Sequence, residues 1–118
     1  MGLLHSGRVR LADARLAGLS PESRFDLAYN AAHALALAAL RWHGYRTENR
    51  YLVFQVLEFT LGLPSQVWRV LALCHERRNL AEYEGHIEVD DRLLQDLLSA
   101  ADDLLLRVEA MKTPEGTN

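Results

Sequence analysis

The chain has 118 residues, of which 49% are hydrophobic and 25% charged, the size and balance of one globular domain. A formal net charge of −3 argues against a general polyanion binder, whose domain would be strongly basic, but leaves room for a local basic cluster. One cysteine, Cys74, excludes an internal disulfide and suits a reducing cytosol, so a cytoplasmic location is expected. Met1 to His5 lack a charged n-region followed by a long apolar run, so no secretion signal is expected. The most apolar stretch, Ala31 to Leu40, is about half a membrane span and contains His33.

Leu and Ala dominate and β-branched runs are absent, which favours helix. Residues 1–7 carry no periodic signal and read as a loose arm, with the ordered core expected over 9–111 of a single domain, 1–118. A short first helix is expected from Val9 to Leu19, with Val9, Ala12, Leu16 and Leu19 on one side and Gly18 as its stop. Ser20-Pro21-Glu22 is a restart: Ser as N-cap, Pro at the first helical position, an acid in the first turn. The second helix then runs to about His43, with Phe25, Ala28, Ala32, Leu35, Ala39 and Trp42 inward. Leu37 and Leu40 lie off that stripe, which places the helix centrally. A polar line of Asp26, Asn30 and His33 crosses it, and Gly44 ends it.

A third helix is expected from Arg50 to Leu61, with Val53, Val56, Leu57, Thr60 and Leu61 inward. Gly62 and Pro64-Ser65 end it and start a fourth helix, Gln66 to Tyr83, which Gly85 stops. Residues 84–90 form a connecting loop. Asp90 or Asp91 caps the fifth helix, whose broad apolar face runs from Leu93 to Val108; after Met111 the tail should fray. The pattern predicts an all-α, antiparallel up-and-down bundle of four main helices plus a short N-terminal one.

The fourth helix holds an anomaly. Its apolar stripe runs Val67, Leu71, Cys74, Arg78, Ala81, with offsets of four, three, four and three. Arg78 thus takes a core position, and a guanidinium cannot lose its charge to be buried cheaply. It either pairs with Asp26, Asn30 or Glu82, or lines a cleft where its fork meets an anion, helped by Arg77. Asp26, Asn30 and His33 are accordingly either a satisfied polar seam or the opposite wall of that cleft.

Other chemistry is thin. The five histidines lack metal-ligand spacing, and no metal or cofactor is expected. Cys74 sits on an apolar stripe and reads as a small core residue. No glycine-rich phosphate loop or G-x-S-x-G elbow occurs. Phe54, Phe59, Trp68 and Leu106 lie off the main seams and belong either to the core or to a homodimer face.

The compact bundle, the Tyr29-Asn30-Ala31-Ala32 segment, the Gly44 break and Arg78-Asn79-Leu80-Ala81-Glu82-Tyr83 together resemble HEPN domains over about residues 10–110. Many members of that family are metal-independent ribonucleases that use an Arg, often followed by Asn, and then a His after four to six intervening residues. Others pair with small nucleotidyltransferases in toxin–antitoxin systems, or bind RNA or nucleotides without catalysis. The resemblance implies a homodimer and, as neighbours, a nucleotidyltransferase, RNA or a nucleotide. Arg78-Asn79 matches the first half of the motif, whereas His86 follows after seven intervening residues, beyond Gly85, and Glu82 stands one turn after Arg78. The resemblance therefore implies a degenerate, non-catalytic module that binds nucleotide, RNA or a partner protein around Asp26, Asn30, Arg77, Arg78, Asn79, Glu82 and Tyr83. The alternatives are an active endoribonuclease, with Arg78 and His86 or His33 as catalytic residues, and a purely structural interaction module.

Overall fold

The computed structural model describes residues 2–16, 18–45, 50–85 and 89–116, and their side chains except those of residues 50, 51, 58, 59 and 112–116. The described chain forms six helices: α1 (Gly2–Asp13), α2 (Pro21–Trp42), α3 (Arg50–Gln55), α4 (Leu57–Leu61), α5 (Ser65–Glu84) and α6 (Asp91–Gly116). No strand occurs among the described residues, and no helix there is long and apolar enough to cross a membrane. The all-α bundle expected from composition and periodicity is what the chain forms.

The first helix departs from the expectation. Residues 2–7 are helical rather than a loose arm, and α1 ends at Asp13 instead of Leu19. Its inward residues are Leu4, Gly7 and Leu11, followed by Ala14 just past its end, whereas Val9, Leu16 and Leu19 are exposed. The reason lies at Gly7. A glycine reads as a gap in a hydropathy pattern, yet here it is the contact itself: a Cβ at Gly7 would stand 2.6 Å from Cγ and Cδ2 of the buried Leu35. The missing side chain lets α1 lie close on α2. Arg24 Nε then donates to the carbonyl of Ala14 at 2.8 Å, closing the end of that turn from α2.

The central helix α2 follows its local signals. Ser20 Oγ accepts from Ser23 N at 3.1 Å, Pro21 takes the first helical position, and Gly44, at φ +85°, turns the chain out at the end. Phe25, Ala28, Ala32, Leu35 and Ala39 are all buried, and so are Ala31, Ala36 and Leu40. Being apolar on more than one side, α2 packs against every other helix. Trp42 corrects the sequence reading: it is 46% exposed, bordering an open groove with Leu3 and Leu4 of α1 and Val108 and Met111 of α6, while Leu40 is buried.

The expected third helix is divided at Val56 into α3 and α4. Backbone bonds still cross the break, from Val56 N to Leu52 O at 3.1 Å and from Thr60 N to Val56 O at 2.9 Å. Thr60 Oγ1 also donates to Val56 O, at 3.3 Å, a back-bond that bends helices. Val53, Phe54 and Leu57 are buried. Gly62, at φ +66°, ends α4, and extended Pro64 starts α5, which ends where Gly85 takes φ +81° and its N–H bonds Ala81 O at 2.8 Å.

At the start of α6, Asp90 rather than Asp91 is the cap: its Oδ1 accepts from Leu93 N at 2.6 Å. Leu93, Leu94, Leu97, Leu98, Ala101, Leu104 and Val108 are buried against α2 and its neighbours. The helix continues beyond Met111, where a frayed tail is expected, to Gly116. Arg107 joins the layers by donating to Leu61 O at 3.3 Å and Gly62 O at 3.4 Å, so α6 answers the last carbonyls of α4. The ion pairs Arg8–Glu109 and Arg15–Asp102 tie the first segment to α6; partly exposed pairs like these contribute under about 1 kcal/mol each.

Candidate functional site

Arg78 lies on α5 with its side chain 31% exposed, one turn beyond the buried Cys74 and two beyond the buried Leu71. Its charge is answered from α2: Nη2 and Nε stand 3.0 Å and 3.1 Å from Asp26 Oδ1. Its Cζ lies 5.0 Å from the centre of the Tyr29 ring, a cation–π contact. Asp26 is thus the partner. Asn30 turns away and donates to the backbone carbonyl of Asp26 at 2.9 Å, and Glu82 forms no ion pair with Arg78 among the described residues.

Behind the guanidinium runs a second layer. Tyr29, 1% exposed, shares a 2.8 Å hydrogen bond with His75 Nδ1, and His75 Nε2 meets the Asn79 side-chain amide at 3.1 Å. A neutral imidazole has one donor and one acceptor nitrogen, so this Tyr29–His75–Asn79 chain runs in one sense at a time. The Phe54 ring fills the centre, 5.9 Å from Tyr29, 6.0 Å from His33 and 6.4 Å from His75, each at a steep angle. His33 therefore belongs to the aromatic layer around Phe54.

In front of the guanidinium lies an open groove of about 250 Å³, lined by Glu22, Phe25 and Asp26 from α2, Arg78, Ala81 and Glu82 from α5, and Gly85. Phe25 and Ala81 are apolar; Glu22, Asp26 and Glu82 set three carboxylates against one guanidinium. Of the residues expected at the site, the groove brings together Asp26, Arg78 and Glu82. Arg77 is exposed and faces elsewhere, which settles that Arg78 is the arginine of the groove. Asn79 belongs to the layer behind it, and Tyr83, 91% exposed, stands outside the lining. His86 lies outside the described residues.

Sequence reasoning misses Tyr29 and His75. The signal is present as spacing: His75 precedes Arg78 by three and Asn79 by four, which sets all three on one side of α5, and Tyr29 follows Asp26 by three on α2.

Cys74 is fully buried, and burial pushes its thiol up to about 12; Arg77 pulls it down and Asp96 adds to the rise, both less strongly. A thiol held that far from ionisation is a packing group. No group of three or more His, Cys, Asp and Glu among the described residues is placed to hold a metal ion.

Of the residues expected either in the core or on a dimer face, Phe54 lies in the core at 0% exposure, Trp68 is half-buried, and Leu106 is 66% exposed. The side chain of Phe59 lies outside the described residues.

Comparison of the chain with protein-family models, with curated proteins and with solved structures returns no match. Fold and site together define an all-α bundle with a paired arginine at the edge of an acidic, apolar-floored groove.

Proposed function

We propose that the protein is a non-catalytic recognition module, a degenerate HEPN-like bundle that receives its partner in the groove beside Arg78. The observation that carries this reading is the commitment of Arg78: its guanidinium is taken up by Asp26 and by the Tyr29 face. Its charge serves to join α2 to α5 and to shape one wall. Catalysis at a phosphodiester would ask instead for a free cation with an imidazole beside it. His75 stands behind Tyr29, outside the groove lining.

The same reading includes a cytoplasmic homodimer, with Leu106 among the apolar side chains a second copy would cover, and a nucleotidyltransferase as its associate. Sedimentation velocity tests the homodimer directly. The recognition role is tested by two measurements. The first is incubation with RNA in the presence of a chelator, beside Arg78→Ala and His86→Ala; cleavage lost in both variants overturns the reading in favour of a ribonuclease. The second is an amide-resolved NMR titration of the whole chain with ADP, a short single-stranded RNA and an arginine-containing peptide. Shifts confined to the groove with at least one of them support recognition. Silence with all three leaves a structural module whose polar layer sets helix register.

A further inference from the structure

The composition of the groove names the chemistry of its occupant. Glu22 and Glu82 are exposed, and neither forms an ion pair among the described residues; they flank an Asp26 already engaged with Arg78. Three carboxylates against one guanidinium leave the lining net negative by two charges. Gly85, at the same rim, ends α5, so the partial negative charge of that helix's last carbonyls falls there as well. The opposing N-terminus of α2 is already answered by Ser20 Oγ and by Glu22 in its first turn. A phosphate entering this space would meet a repelling wall and an arginine that must first leave its partner. A cation would meet complementary charge on two sides, with the half-buried Ala81, set beside the buried Phe25 ring, as the apolar spot for an aliphatic stem.

We infer that the occupant is the cationic side chain, arginine or lysine, of a partner-protein segment. The inference rests on the recognition reading above and names the partner class that the same groove takes. The stem lies on Ala81, and the head reaches the carboxylates of Glu22 and Glu82. A volume of about 250 Å³ suits one long side chain with water around its head, and is small for a nucleotide with its ribose and phosphates. Because both carboxylates are exposed, the interaction is weak at a single residue and falls with ionic strength.

The test is an NMR titration of the full chain with short Gly-Ser-Ala peptides, identical except for one central residue: Arg, Lys, Gln or Glu. The Arg and Lys peptides should shift the amides of Glu22, Asp26, Glu82 and Gly85, less so at high salt, while the Gln and Glu peptides leave them in place. A Glu22→Gln/Glu82→Gln double variant should bind the Arg peptide about tenfold more weakly. Both positions are exposed, so its fold should persist, which a matching melting curve verifies. Equal binding of the Gln peptide, shifts scattered over the acidic surface, or unchanged affinity in the double variant overturns the inference. Spermidine binding as tightly as the Arg peptide overturns the assignment to a protein segment in favour of a free amine. If ADP or RNA shifts the groove and the Arg peptide does not, this inference falls and the recognition reading stands; if no probe does, both fall.

Discussion

The Tyr29 hydroxyl and His75 Nδ1 lie 2.8 Å apart, joining the buried face of α2 to α5 directly behind the Arg78–Asp26 pair. Removing the hydroxyl leaves the ring nitrogen without that partner in a half-buried place. Tyr29→Phe should therefore cost about 1 kcal/mol, the usual worth of one such bond, while keeping the ring under the guanidinium. Urea denaturation gives the number. A loss below about 0.3 kcal/mol would show that water or another group replaces the bond.

For the ion pair the expectation differs, because Arg78 is 31% and Asp26 54% exposed. Solvent screening limits such a pair to under about 1 kcal/mol, with a comparable sum for the cation–π contact. Asp26→Asn should lower stability by about 0.5 kcal/mol. Arg78→Leu should be near neutral, since the stripe of Leu71, Cys74 and Ala81 welcomes an apolar side chain at that position. A double-mutant cycle of Arg78 and Asp26 checks both; a coupling above about 2 kcal/mol would mean the pair is far better shielded than its exposure implies.

At Gly7 two effects oppose each other. Alanine gains about 1 kcal/mol of helix propensity over glycine. Against this, its Cβ would press on Leu35 Cγ and Cδ2 at 2.6 Å, and overpacking a filled core costs about 1–3 kcal/mol. The clash involves the branch point of a buried side chain, so it should win, and Gly7→Ala should lower the melting temperature by several degrees. Leu35→Ala in that background should restore part of the α1–α2 contact, giving a double variant more stable than the single costs add up to.

The thiol of Cys74 supplies a pH signature. Burial raises it from 9.0 to about 12, so the folded state holds its proton more tightly than the unfolded chain. Its contribution is complete below about pH 9 and is lost as pH rises from there toward 12, where the unfolded chain ionises first. The stability difference between the wild type and Cys74→Ala should narrow over that interval. Native protein should also resist an aromatic disulfide reagent at pH 8 and react once in urea.

The caps were legible because each acts through its own neighbours. Ser20-Pro21, Gly44, Gly85 and Asp90 set the ends of α2, α5 and α6 within a residue or two, and Asp90→Ala should cost about 1 kcal/mol. The Arg78 anomaly was legible for a similar reason: one charge in an apolar period stands out. What escaped were relationships between helices. Gly7 has no side chain to register, so residues 1–7 read as a loose arm and the helix is expected to start at Val9, with the inward stripe Leu4–Gly7–Leu11 unseen. Tyr29 sits one position from Ala28, off the Phe25–Ala28–Ala32 stripe, and no period marks its hydroxyl; its bond to His75 is fixed by how α2 and α5 face each other. Trp42 continues the period of α2 faultlessly but stays 46% exposed, at a groove it shares with Leu3, Leu4, Val108 and Met111.

Phe54 sits with Tyr29, His33 and His75 about 6 Å from its ring centre, two of them imidazoles. The circulating π electrons of that ring should displace the imidazole carbon-bound protons from their ordinary resonance positions, by amounts that change with small tilts. The molecule thus carries an intrinsic gauge one layer behind Arg78. Its proton spectrum should register any settling of α5 against α2 when the groove fills, without a label or an added chromophore.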